Sequence, residues 1–306
     1  MRIFLTGATG YIGSALARRL RAGGHEVVAL TRDAAKMTRL RERGLHPVVG
    51  DLSQPDSWRR EAEGCEALIH LGFEFGKRAA EIDRGAVEGM LRSAKSAGAP
   101  RLFIYTSGVW VLGDSRDRPL DEEAPLAPPE IVGWRPAIEK TVLAAAGDGL
   151  SAAVVRPGCV YGGRGGLYGM MFQSLLTDRK IRLVKNGSNC WASVYLDDLV
   201  ELYRLVLERR PQRSIYHATN GAAETVRKVA EAFVEAAGGG EVLDWPIEEA
   251  RRALGPMVDA LTLDQRVSSE KAKWELGWQP KMAPAAKCAE ALLAQWEAEV
   301  SLPSVS

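Results

Sequence analysis

Cysteine is scarce. The 306-residue chain has four (Cys65, Cys159, Cys190, Cys288), far apart and never in C-x-x-C spacing. That pattern argues against a disulfide framework and fits a reducing compartment, with each thiol a small core residue. Histidine is equally scarce, and no metal site is expected from four scattered imidazoles. No window holds eighteen apolar residues, so no membrane span is expected. The N-terminus opens directly on an apolar strand and a Gly-rich turn. It has no signal-peptide layout of basic, apolar and small-residue regions, so a cytoplasmic location is expected. Large net charge is missing too. At +1, with a pI near 7.7, the chain sets up no field for nucleic acid or an acidic membrane. The expected partner is a small-molecule substrate.

What is present is an ordinary globular composition, 46% apolar and 26% charged, long enough for a sizeable core. Short apolar runs alternate with helical patterns. "RIFLT" (2–6), "HEVVAL" (25–30), "HPVVG" (46–50), "EALIHL" (66–71), "RLFIYTS" (101–107) and "SAAVVRP" (151–157) read as strands. Helices are expected over 11–24, 33–44 and 79–97. This alternation predicts an α/β fold, a Rossmann-type doubly wound parallel sheet with right-handed crossovers and a smaller C-terminal substrate lobe. Residues 1–160 are expected to form the dinucleotide-binding domain. Residues 161–306 are expected to form mainly the substrate lobe, with the chain returning to the Rossmann core around 190–220. "GCVYGGRGGLYG" (158–169), with six glycines, reads as a ligand-side loop. A later strand is expected at 215–220, and helices around 197–210, 224–237, 247–254 and 284–299.

"TGATGYIG" (6–13) follows the first strand and opens the first helix. Gly7 permits the sharp turn, Gly10 lets the backbone approach a pyrophosphate, and Gly13 lets helix and strand pack closely. The helix N-terminus then offers N–H groups and a positive dipole end to phosphate, with Thr9, Tyr11 and Ile12 in the same turn. In strand–turn–helix context the motif points to a dinucleotide. At the end of the second strand stand Thr31 and Arg32, with Lys36 one turn on, where an acidic residue would hold a ribose 2′-hydroxyl. Arg32 and Lys36 suit a 2′-phosphate, so NADP(H) is expected over NAD(H).

Seven segments occur in one order: "TGATGYIG", "GDLSQPDSW" (50–58), "ALIHLG" (67–72), "IYTSGVWVLGD" (104–114), "VVRPGCVYG" (154–162), "SVYLDDLVELY" (193–203) and "ELGWQP" (275–280). Together they resemble the extended short-chain dehydrogenase/reductase superfamily, in its NAD-dependent epimerase/dehydratase-like branch, over residues 1–280. The resemblance implies that Asp51 and Leu52 flank the adenine and that the His70–Gly72 turn, with Leu71 and Gly72, lies along the cofactor. It also implies that Pro157 to Val160 stand near the nicotinamide, and that the protein is a homodimer built on the helices around 79–97 and 135–147.

The resemblance further implies a Ser, a Tyr and a Lys at the reacting carbonyl. Ser107, in "TSG", matches the Ser. The Tyr and Lys are missing. Matching Lys140 to the Lys puts Pro136 at the Tyr position. Matching Arg135 to the Lys puts Ile131 there, and this register keeps Glu139 and "VVRPG" aligned without a gap. Ile131 can donate no proton, and Arg135 cannot shuttle one. Arg135 can still hold a ribose hydroxyl or stabilise an oxyanion, and Glu139, four residues on, could orient it. Pro136 suits a helix start, so the helix is expected to begin near Trp134 or Arg135, leaving 124–134 a loop free to place Ile131 and Trp134 in the pocket as an apolar wall. Tyr161 is the first candidate substitute acid, followed by Tyr168 and Asp83. Trp110 and Trp191 are candidate pocket walls or core residues.

Three functions stay open. One is an NADP(H)-dependent oxidoreductase or epimerase on a small carbonyl, enone or sugar-like substrate, with Ser107, Arg135 and Tyr161 as catalytic residues. Another is a non-redox lyase- or hydrolase-type enzyme on the same fold. The third is a cofactor-sensing binding protein.

Overall fold

The β-branched and apolar runs of the first half become the central sheet of a computed structural model that describes residues 1–74, 76–95, 101–115 and 118–301. In chain order the elements are β1 (Arg2–Thr6), α1 (Tyr11–Ala22), β2 (Glu26–Thr31), α2 (Met37–Glu42), β3 (His46–Val49), α3 (Arg59–Glu63) and β4 (Ala67–His70). Then come α4 (Ala79–Lys95), β5 (Arg101–Thr106), α5 (Arg135–Ala144), β6 (Leu150–Pro157), β7 (Cys159–Tyr161), α6 (Gly166–Asp178), β8 (Lys180–Val184) and β9 (Ser193–Tyr195). The chain continues through α7 (Leu196–Arg209), β10 (Arg213–Ala218), α8 (Val226–Ala236), β11 (Glu241–Trp245), α9 (Ile247–Leu254), α10 (Met257–Leu261), α11 (Glu270–Leu276) and α12 (Ala289–Ser301).

Seven strands form one sheet in the order β10-β6-β5-β4-β1-β2-β3. The pairings of β1 with β2 and β4, of β2 with β3, and of β5 with β4 and β6 are all parallel. This is the expected doubly wound fold. The strand order reverses between β1 and β4, and open α/β sheets bind ligands outside the carboxyl ends at such a point. Phe4, Leu68, Phe103 and Tyr105 share one core cluster with Val87 and Met90 of α4 and Ile138 and Val142 of α5. Both helices are thereby held on that face of the sheet.

The chain divides into two units. The first comprises 1–107, 134–156 and 200–216, and the second 108–133, 157–199 and 217–306. The second unit has two small parallel sheets, β8 with β11 and β7 with β9. Its core includes Tyr161, Tyr168, Phe172, Trp191, Phe233 and Trp296. The segments "DDL" and "LGWQP" meet there: Trp278 Nε1 donates to the Asp198 carbonyl (2.8 Å), and the Asp198 carboxylate accepts from the backbone N–H groups of Lys281 and Met282 (3.0 Å each).

Some boundaries differ from those expected. The stretch 158–169 is not one loop: it contains β7 and the first turn of α6. Its glycines serve the bends, with Gly162 at φ +102° and Gly163 at φ +63°. The helix expected over 33–44 is a 3₁₀ turn (Ala34–Lys36), capped by the Asp33 carboxylate on Ala35 N–H (2.9 Å), followed by the short α2. Of the helix expected over 79–97, α4 covers 79–95, and 96–97 lie outside the described residues. Strands β8 and β11 were missed because "KIRLV" and "EVLDW" mix charge with apolar residues.

Candidate active site

A cleft of about 520 Å³ opens in the first unit. Gly7, Thr9, Gly10, Tyr11, Ile12, Gly13, Arg32, Leu52, Leu71, Gly72, Ser107 and Arg135 of the expected site line it, together with Phe73, Glu74, Asp83 and Thr106. Asp51 and Lys36 are not among its lining residues. Asp51 instead accepts from Ser53 N–H and Ser53 Oγ (2.7 Å each). Those bonds hold its carboxyl below the usual value. Lys36 ends the exposed 3₁₀ turn. Pro157, Val160 and Tyr161 belong to the second unit.

The glycine turn is built from main chain in close contact. Gly7 has φ +71°, and a Cβ there would stand 2.7 Å from the Leu71 carbonyl carbon. A Cβ on Gly13 would stand 2.0 Å from the Gly7 oxygen, so helix α1 starts almost on top of β1. Gly10 caps α1 with no side-chain hydrogen bond, and the first turn holds no acidic residue. This wall suits an anion. At its outer edge Arg32 is 60% exposed and pairs with Glu74 (2.9 Å).

Thr6, at the end of β1, ties this turn to the one after β4. Its Oγ1 accepts from Gly72 N–H (2.9 Å) and Leu71 N–H (3.2 Å) and lies 2.7 Å from His70 Nδ1. With both lone pairs used, the hydroxyl proton goes to Nδ1. His70 is therefore the Nε2–H tautomer, and it donates to Asp83 Oδ1 (3.1 Å). Asp83 Oδ2 accepts two more bonds, from Tyr105 Oη (2.8 Å) and Trp134 Nε1 (2.9 Å). Burial would raise the Asp83 carboxyl. The bonds from His70 and Trp134 and the charge of Arg135 outweigh it and hold the group below its usual value. Burial also pushes the Tyr105 phenol well up, with the Asp83 charge adding to it.

Arg135 stands at the first position of α5, as Pro136 suggests. Glu139 does not orient it. That carboxylate is buried in a two-point pair with Arg156 of β6, Oε1 accepting from Nε at 3.0 Å. The expected i,i+4 contact loses because Arg156, itself 1% exposed, has to be matched by a buried anion. The pair clamps α5 to the sheet. Arg135 Nη1 donates to the Thr106 carbonyl (2.8 Å). Its guanidinium lies 5.5 Å from the Phe73 ring centre, 5.9 Å from Trp134 and 6.0 Å from Tyr105. Phe73 and Trp134 are stacked with planes 3° apart.

Ser107 is 8% exposed, and its Oγ has no hydrogen-bond partner among the described residues. A buried hydroxyl left open beside Arg135 and a glycine cradle that a Cβ would fill both fit a bound dinucleotide and its substrate. Tyr161, expected as the substitute acid, is fully buried. Its hydroxyl donates to the Ala283 carbonyl (2.8 Å) and accepts from Asn220 Nδ2 (3.2 Å), so its proton is already committed. Tyr168 likewise shares a 2.6 Å bond with Ser193 Oγ. Trp191 is a core residue bonded to the Leu261 carbonyl (3.0 Å), and Trp110 is half-buried in the second unit. Among the described residues no three His, Cys, Asp or Glu side chains are grouped to hold a metal ion.

Sequence placed His70 along the cofactor and allowed Trp134 into the pocket, but it missed Tyr105 and the convergence of all three on Asp83. One signal was available. Ala79, Ile82, Asp83, Ala86, Val87 and Met90 form the buried stripe of α4, and a carboxylate on that stripe demands partners.

A family model described as NAD dependent epimerase/dehydratase family matches residues 3–219. An uncharacterised protein of Saccharomyces cerevisiae is 31% identical, over 92% of this chain and 95% of its own. A 4-hydroxy-2-methyl-3-oxo-4-farnesyl-3,4-dihydroquinoline-1-oxide ketoreductase of Stigmatella aurantiaca is 28% identical, over 91% of this chain and 92% of its own. The crystal structure of UDP-glucose 4-epimerase with UDP-glucose from Thermotoga maritima superposes with a TM-score of 0.85 at 20% identity, covering 98% of this chain and 100% of that one. That likeness is one of fold.

Proposed function

The chain belongs to the NAD dependent epimerase/dehydratase family, and from that premise we propose that it is an NADP(H)-linked reductase of a small carbonyl or enone compound. The orphaned Ser107 hydroxyl beside Arg135, in the cleft that also holds the glycine turn, carries this reading. The nicotinamide supplies hydride when bound. The residues of this chain then have two tasks, to hold the dinucleotide and to stabilise the oxygen that becomes anionic.

The first task falls to the Gly7–Gly13 turn and the open N-terminus of α1. Leu71, Gly72 and Leu52 form the facing wall. Arg32 takes the 2′-phosphate in exchange for Glu74. The second task falls to Ser107, whose hydroxyl is free to donate, and to Arg135, whose charge is permanent. Neither delivers a proton at neutral pH, so the final proton comes from water. That division suits a conjugated carbonyl, where hydride adds to carbon and the enolate oxygen needs charge stabilisation first. A related chain carries the name ketoreductase, which agrees with reduction at a carbonyl. We also expect a homodimer through α4 and α5 and a cytoplasmic location. Among the described residues no helix is long and apolar enough to cross a membrane.

Isothermal titration with NADPH and NADH, followed by NADPH consumption across a panel of ketones and enones, tests the reading. NADPH is expected to bind more tightly than NADH and to be oxidised by at least one enone. Tight NADPH binding with no turnover on any member favours a cofactor-sensing protein. Tighter binding of NADH overturns the assignment of Arg32.

A further inference from the structure

Tyr105 and Trp134 each have two faces to their role. The polar edge of each ring bonds to Asp83 Oδ2, at 2.8 Å and 2.9 Å. The π-face of each lies against the Arg135 guanidinium, at 6.0 Å and 5.9 Å. A hydrogen bond to a carboxylate fixes the ring and enriches its electrons, and an electron-rich face attracts a cation more strongly. Asp83 and Arg135 thus interact through two aromatic rings rather than by a direct ion pair. Asp83 is itself fixed on its other side by His70, which Thr6 holds in one tautomer. All of these groups are in one unit, and both charges line the cleft.

We propose that Asp83 is a positioning residue for Arg135: through Tyr105 and Trp134 it sets where the guanidinium stands and partly offsets its charge, and so governs how the cleft discriminates the oxidised, cationic nicotinamide from the reduced, neutral one. This rests on the proposed binding of a nicotinamide dinucleotide in the cleft. Arg135 disfavours the cationic ring, and Asp83 favours it.

The test is the ratio of dissociation constants, Kd for NADP⁺ over Kd for NADPH, measured by titration calorimetry on the full chain without substrate. Arg135→Met should lower the ratio and Asp83→Asn should raise it. Each change should be roughly three- to tenfold, the effect of about one charge across a partly solvated cleft. A merely structural Asp83 would weaken both forms equally and leave the ratio unmoved, and that result overturns the proposal. Asn offers one acceptor oxygen where three donors converge, so Asp83→Asn could fail to fold. Trp134→Phe keeps a ring and every charge but removes one tether. It should shift the ratio in the direction of Asp83→Asn, by less, and should have no further effect when combined with Arg135→Met. An equal effect with and without Arg135 also overturns the proposal. If Arg135→Met leaves both constants unchanged, the assignment of Arg135 under the proposed function fails instead.

Discussion

At Gly7 and Gly13 the wall of the cleft is main chain, packed so closely that a methyl group has nowhere to go. Around Arg135 it is side chain: a carboxylate with three donors, a guanidinium among three rings, and a hydroxyl with no partner among the described residues. The two regions line one cleft and fail differently. The first is specified by what is absent, a Cβ, and tolerates no addition. The second is specified by matched donors and acceptors, and tolerates no unmatched deletion.

Mutations can probe that contrast, and the largest effect belongs to the side-chain region. Glu139→Ala leaves the Arg156 guanidinium buried without its anion and should cost about 3–5 kcal/mol, read as a lower urea midpoint at unchanged slope. A loss under 1 kcal/mol would mean that α5 is held by its apolar face alone. Next is Gly13→Ala. Its methyl would collide with the Gly7 carbonyl, and the displaced turn should weaken NADPH on the order of a hundredfold by titration. If NADPH binds as before, the main-chain wall is less rigid than its packing implies. Arg32→Ala is milder, because the side chain is exposed: NADPH should weaken roughly tenfold, about 1.4 kcal/mol, with NADH unchanged. Equal losses for both cofactors would remove the 2′-phosphate role.

The smallest effect is one of pH. The folded Asp83 carboxyl lies below its ordinary value. Its contribution to stability is therefore present above about pH 3.9, the unfolded value, and is lost as pH falls through the lower folded value. Asp83→Asn should flatten that acid limb in a pH series of thermal midpoints. An acid limb of the same slope in both proteins would show that Asp83 is not ionised in the fold.

The contrast also explains what could be read from sequence. The main-chain wall was legible because its rule is local: Gly7, Gly10 and Gly13 sit within one turn, between a strand and a helix. The parallel sheet was legible for the same reason, each strand announcing itself by its own apolar run. The side-chain wall is assembled from positions 70, 83, 105 and 134, which have no fixed spacing to one another. Sequence could name Arg135 and Ser107 by likeness to a family pattern. It could not show that Glu139 turns to Arg156, nor that the Tyr161 proton is spent on Ala283. Both outcomes depend on which buried group most needs a partner, and that is a property of the packed core.

One consequence concerns light. Trp134 has its indole N–H on Asp83, its face on Phe73, and its neighbour in the chain is Arg135. Dihydronicotinamide absorbs where indole emits. On the proposed function Trp134 is an optical sensor for the reduced cofactor, and the difference in emission between wild type and Trp134→Phe would isolate that signal from the other seven tryptophans.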